Sequence, residues 1–155
     1  MFPNWQKSSI LKRFLSLHRL QKELSIFTAA IREIIDITKE CFRESDVEKA
    51  ALVQPLESVI DALAEDLKEG HIQRVQRNEC TLELGFIFND IINNLERVAD
   101  HCSNISFSVM EAQDSDIESH NYLKALKKKG REEYKENVKR FADKYQGQLN
   151  AIQNN

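Results

Sequence analysis

The chain is short of the residues that interrupt helices and build turns, with four Gly and two Pro in 155 residues. No useful stretch alternates apolar and polar residues, and no Asn-Gly or Asp-Gly pair marks a hairpin, so a β architecture is not expected. No apolar run approaches the ~20 residues needed to cross a bilayer, which argues against a channel or carrier. The first residues also lack a signal peptide's apolar core, because Lys12, Arg13 and His18 interrupt it. Cysteine is scarce and odd in number: Cys41, Cys80 and Cys102 show no C-x-x-C spacing. A disulfide framework is not indicated, and a reducing cytoplasm is the expected setting. Basic residues are not in excess either. The net charge of −3 gives no field to recruit nucleic acid, and Lys12-Arg13 and Lys127-Lys128-Lys129 read as local solvated faces.

What is present is apolar residue at helical spacing, and 155 residues suffice for one domain with a core of its own. Ile10, Phe14, Leu17, Leu24, Phe27, Ile31, Ile34 and Cys41 recur every three or four residues and predict a first helix over about 8 to 43. The cluster Glu44-Ser45-Asp46 ends it, with Ser45 or Asp46 capping the next. The second segment carries Leu52, Leu56, Ile60, Leu63 and Leu67. Pro55 inside it predicts a kink or a helix start, and Gly70 ends or weakens it. His71, beside Gly70, reads as a helix-end residue. Asn78 or Thr81 opens a third helix, striped by Leu84, Phe88, Leu95, Ala99, Cys102 and Val109, to about residue 112. After the polar break at Asp114-Ser115-Asp116, a fourth helix uses Tyr122, Leu126, Tyr134, Val138, Phe141, Tyr145 and Leu149, with Gly130 as a weak point and a frayed tail from Gln153. The expected fold is all-α: a single antiparallel bundle of three to four helices over residues 1–155.

Two of these helices carry the same acidic pattern. Leu56-Glu57-Ser58-Val59-Ile60-Asp61 and Leu95-Glu96-Arg97-Val98-Ala99-Asp100 both read L-E-x-V-x-D. At about 100° per residue, Glu57 and Glu96 fall about 100° from their leading leucines, and Asp61 and Asp100 about 140°. Each pair therefore sits beside its own apolar stripe with the same offset. If the two helices pack side by side, four carboxylates converge on one exposed groove, with Asn93 and Asn104 on the same face. Carboxylate oxygens are hard ligands suited to Mg²⁺, Ca²⁺, Mn²⁺ or iron, and four of them repel one another unless a cation neutralises them. Against this stands the ordinary fact that charged residues beside an apolar stripe usually form a solvated face.

Catalytic patterns are absent. There is no Glu-x-x-His of the di-iron carboxylate kind, no His-Glu-x-x-His, no phosphate-cradling Gly-rich loop and no Gly-x-Ser-x-Gly. His101 projects to another side of its helix than the acids, and His18 and His120 stand alone. Cys102 lies on the apolar stripe and reads as core. No catalytic residue is expected. An enzymatic reading, a helical metal-dependent phosphohydrolase, lacks the His and Asp shell such sites use.

The block Leu95-Glu96-Arg97-Val98-Ala99-Asp100-His101 with Asn104-Ile105 resembles the L-E-R-[IV]-x-D-H-x-x-N-I signature of PhoU-like proteins. With Glu79-Cys80-Thr81, Glu83-Leu84-Gly85 and Cys102-Ser103-Asn104, the run looks closer still to one subgroup. That subgroup is the cytoplasmic PhoU-like domain at the C-terminus of bacterial sodium/phosphate cotransporter-type membrane proteins. Pro55 to Asp61, His120 to Leu123 and Lys144-Tyr145 also fit, so the resemblance covers roughly residues 50 to 146. It implies three-helix units and E/D-x-x-x-D motifs, here Glu57/Asp61 and Glu96/Asp100, that hold clusters of iron, zinc or a similar metal. It also implies a regulatory role in phosphate uptake, exerted on a membrane phosphate transporter or on a membrane domain of the same protein. Full-length members carry two such bundles whereas this chain has length for one, so a homodimer is expected to restore the pair. The rival expectation is a plain helical interaction bundle with no metal, whose acids only solubilise it.

Overall fold

The computed structural model describes the backbone of residues 4–114 and 120–153 and the side chains of residues 11–112 and 130–153. Those backbones form four helices: α1 Asn4–Glu44, α2 Val47–Gln76, α3 Leu82–Asp114 and α4 His120–Gln153. The tight connections at 45–46 and 77–81 turn the chain back on itself, so α1, α2 and α3 run antiparallel in succession. The all-α bundle expected from the sequence is what forms.

Both turns use the same device. Ser45 and Asn78 adopt the left-handed conformation, with φ of 52° and 56°. Asp46 N–H then reaches back to the Cys41 carbonyl at 3.0 Å and Glu79 N–H to the Arg74 carbonyl at 2.9 Å, closing the last turn of each helix. The next helix starts on a side-chain cap. Asp46 accepts from Lys49 N–H at 3.0 Å and Thr81 from Leu84 N–H at 3.3 Å. Of the capping alternatives, Asp46 and Thr81 are therefore the caps, while Ser45 and Asn78 terminate the preceding helices. The break at 115–116 lies outside the described residues.

α2 is the centre of the molecule and packs on all three other helices; α1 touches α3 and α4 as well, while α3 and α4 do not meet among the described residues. This position gives α2 a broad buried face: Val53, Leu56, Val59, Ile60, Leu63, Ala64 and Leu67 are all buried. Each large aliphatic side chain there contributes about 1.5–3 kcal/mol over its exposed state. Pro55 does not start the helix, which already runs from Val47, and its side chain is buried. Gly70 does not end it. His71 is no helix-end residue but a buried side chain within α2, its ring stacked on Phe88 at 5.1 Å between centroids. One turn on, Arg74 makes a two-pronged pair with Glu23 of α1, both nitrogen–oxygen distances 2.9 Å, and both side chains are buried.

The α1 stripe holds through Phe27, Ile31, Ile34 and Cys41, with Leu24 partly buried against the core, but not before Leu24 among the described side chains. Phe14 is 69% exposed and Leu17 45%, and the buried face at that end is Ser16, Leu20 and Glu23. The inward face had shifted relative to the apolar residues because the end of α2 presents Arg74, which Glu23 satisfies. On α4, Phe141, Tyr145 and Leu149 are buried, and Tyr145 donates to Glu33 of α1. Burial, then that acceptor, pushes the Tyr145 hydroxyl well above the usual phenol range. Tyr122 and Leu126 lie outside the described side chains. Cys102 is buried as expected, and burial raises its thiol.

Candidate metal centre

The paired acids meet where α2 crosses α3. Fully buried Leu56 and Ile60 of α2 and Ala99 of α3 set the neighbouring helix faces, which turns the residues beside them toward one edge of the contact. Two cross-helix bonds hold the register. Gln54 Nε2 donates to Ser103 Oγ at 3.0 Å on one side, and Lys68 Nζ pairs with Glu96 at 2.5 Å on the other. Between them one carboxylate oxygen from each of Glu57, Asp61 and Asp100 lies within 4.8 Å of the others.

Three of the four acids singled out in the sequence are thus brought together, and one is drawn aside. Glu96 is half-buried and pairs with Lys68, so it stands outside the group of three although its charge still acts on Asp61. Glu57 is half-buried, whereas Asp61 and Asp100 are exposed. Burial first, then the charges of Asp61 and Asp100, pushes the Glu57 carboxyl above its ordinary value. Asp61 is raised by burial, then by Asp100, Glu96 and Glu65, with Lys68 opposing. The cluster is therefore an unbalanced concentration of negative charge, with one lysine beside it.

A metal ion bound to carboxylates at about 2.0–2.6 Å holds its ligand oxygens within about 5 Å of one another, so the observed spacing fits one ion bridging the two helices. The donors are all oxygen, which suits manganese, iron, magnesium or calcium better than zinc, whose sites favour nitrogen and sulfur. No histidine or cysteine joins the group. Asn93, Asn104, Arg97 and His101 are exposed on α3.

Two residues of this site were not singled out in the sequence. Glu65 follows Asp61 by four positions and Lys68 by seven, so both continue the acidic edge of α2. The spacing was legible, but that Lys68 would choose Glu96 depends on where α3 lies.

A family model described as the PhoU domain matches residues 24–109, a span that contains α2, most of α3 and all four acids. Among curated proteins, the chain is similar to the phosphate-specific transport system accessory protein PhoU homolog 1 of Thermotoga maritima, at 26% identity over 101 residues. That alignment covers 63% of this chain but 44% of the relative, so the chain spans less than half of that protein's length. No solved structure matches. With more than half of its residues inside the family model and a four-helix fold to match, this chain belongs to the PhoU domain family.

Proposed function

We propose that the chain is a non-enzymatic regulatory domain of phosphate transport that binds a metal ion through Glu57, Asp61 and Asp100. Family membership and the transport-accessory name of its relative support the regulatory part. The convergence of three carboxylates from two helices supports the metal part. When bound, the ion supplies positive charge that cancels the repulsion within the cluster. The protein's own contribution is to fix α2 against α3 so that the three oxygens stay together, with Glu96 held in reserve by Lys68. The partner under this reading is a membrane phosphate transporter, or a membrane domain of the sodium/phosphate cotransporter type joined to this one, met at the cytoplasmic face. No described helix is long and apolar enough to cross a membrane.

The test is elemental analysis of protein purified without chelator or affinity metal, beside the Asp61→Asn/Asp100→Asn variant. Stoichiometric metal in the parent, lost in the variant with helicity retained, is the expected result. A second reading rests on the exposure of Asp61 and Asp100 and the private pairing of Glu96, which an ordinary solvated face also shows. A parent protein that binds no iron, manganese or zinc favours that plain interaction bundle.

A further inference from the structure

A cavity of about 570 Å³ opens at one end of the bundle, between the early part of α1, Arg74 near the end of α2, and Ala151 and Ile152 at the end of α4. Its size is that of sites that hold small organic molecules. On α1, Lys12, Ser16, Arg19 and Lys22 follow one another at steps of four, three and three. That spacing puts them on one face of the helix, and all four line the cavity.

Positive charge is left over here. Buried Glu23 gives both its oxygens to Arg74 at 2.9 Å. Arg19 Nε lies 3.4 Å from the same carboxylate and makes no hydrogen bond to it. One acid thus serves two arginines. Lys12 and Lys22 are exposed and make no ion pair among the described residues, while Glu79 is the acid on the wall. Four cationic side chains face two carboxylates, so with His18 neutral the cavity carries about two positive charges in a chain whose total is −3. Hydrogen-bond donors are left over as well. Ser16 is 6% exposed and Arg74 5%, yet Ser16 Oγ and Arg74 Nε have no partner among the described residues. Buried polar atoms are rarely left unmatched. This face of α1 is polar where packing alone would favour apolar residues, and a ligand rich in acceptor oxygens answers both features. The rest of the wall is different: Leu15, Ala151 and Ile152 are apolar, and Leu15 is 57% exposed.

We propose that this cavity binds an organic phosphate, whose phosphate group accepts hydrogen bonds from Lys12, Ser16, Arg19 and Lys22 and whose organic body rests on Leu15 and Ile152. A phosphomonoester brings close to two negative charges and three acceptor oxygens, matching the charge and the donors together. A carboxylate brings one charge and two oxygens, and orthophosphate leaves the apolar wall and most of the volume unused. The site does not rest on the metal reading or on the transport reading, and none of Glu57, Asp61 and Asp100 lines it.

The experiment is titration calorimetry of the full chain with phenyl phosphate at about pH 8, where the ester is a dianion, in chelator so that the acidic cluster binds no metal. One molecule is expected to bind per chain. Orthophosphate, which lacks the body, and benzoate, which lacks the second charge, should each bind at least about tenfold more weakly. Lys12→Gln/Lys22→Gln alters only exposed side chains and should weaken phenyl phosphate by at least about tenfold. Lys39→Gln removes the same kind of charge about 25 Å farther along α1 and should leave the affinity unchanged. Ser16→Ala should cost several-fold; if circular dichroism shows that it unfolds, the lysine pair alone carries the test. Phenyl phosphate that fails to bind, or an affinity that the lysine pair does not move or that Lys39→Gln moves equally, would overturn the site. Orthophosphate or benzoate binding as tightly as phenyl phosphate would overturn its assignment to an organic phosphate.

Discussion

Replacing Asp61 by Asn should stabilise the metal-free protein and abolish its response to metal. The change is nearly isosteric and the side chain is exposed, so packing is left alone and charge is what differs. Two like charges 4.8 Å apart, the outer limit of spacing here, repel by about 0.9 kcal/mol in bulk water and about 3.5 kcal/mol at an effective dielectric constant of 20. Asp61 faces two such neighbours but is solvated, and Lys68 offsets part of the repulsion. The low end governs, so the relief is about 1–2 kcal/mol. For a chain of this size that is a rise in melting temperature of about 3–6 °C. Manganese at about one hundred times its dissociation constant adds about 2.7 kcal/mol to a protein that binds it only when folded. The order should then invert: the variant melts higher in chelator, the parent melts higher with metal.

The pH dependence has a definite sign. Glu57 and Asp61 are raised in the folded state, so the native protein holds protons that the unfolded chain has released. Metal-free stability therefore falls as pH rises from the ordinary carboxylate range, about 4, through the raised native values, and is flat above them. Asp61→Asn should flatten that slope, and salt should shrink it. Calorimetric melting at low salt with and without chelator measures all of this. An Asp61→Asn protein that melts at or below the parent in chelator would refute the repulsion argument.

Three further outcomes follow from contacts already described. Lys68→Met should release Glu96 toward the cluster and tighten manganese binding several-fold by titration; weaker binding would mean that Lys68 orients Glu96 and does not compete for it. Gly85→Ala would put a Cβ 2.8 Å from Nε2 of the buried, stacked His71. The overpacking cost of about 1–3 kcal/mol exceeds the gain of up to ~1 kcal/mol from replacing a helical glycine, so the urea midpoint should drop; an unchanged midpoint would show that the ring moves freely. Arg74→Met should cost about 3–5 kcal/mol by stranding Glu23, toward the low end because Arg19 Nε lies 3.4 Å from that carboxylate. Adding Glu23→Leu should recover most of the loss, and a double variant no more stable than the single would contradict the stranded-charge account.

The sequence by itself determined the helices and the central stripe, and narrowed two caps to a pair of residues each. Apolar spacing through Leu56, Ile60, Leu63 and Leu67, and through Phe27, Ile31 and Ile34, is a local consequence of helix geometry. The free backbone donors of a helix start call for a cap at Ser45 or Asp46 and at Asn78 or Thr81, and the left-handed Ser45 and Asn78 leave Asp46 and Thr81 to accept. It also placed Glu57, Asp61, Glu96 and Asp100 beside the buried stripes of neighbouring helices. Only the tertiary structure decided which of them meet. That depends on the axial offset of α2 against α3, and no residue pattern within one helix encodes an offset between two. The same is true of Glu23 and Arg74, polar residues buried because each end of the pair satisfies the other. Likewise Phe14 and Leu17 stand exposed although they lie on an apolar repeat. A helix specifies which of its faces can be buried; which stretch of that face is covered depends on where its neighbours end.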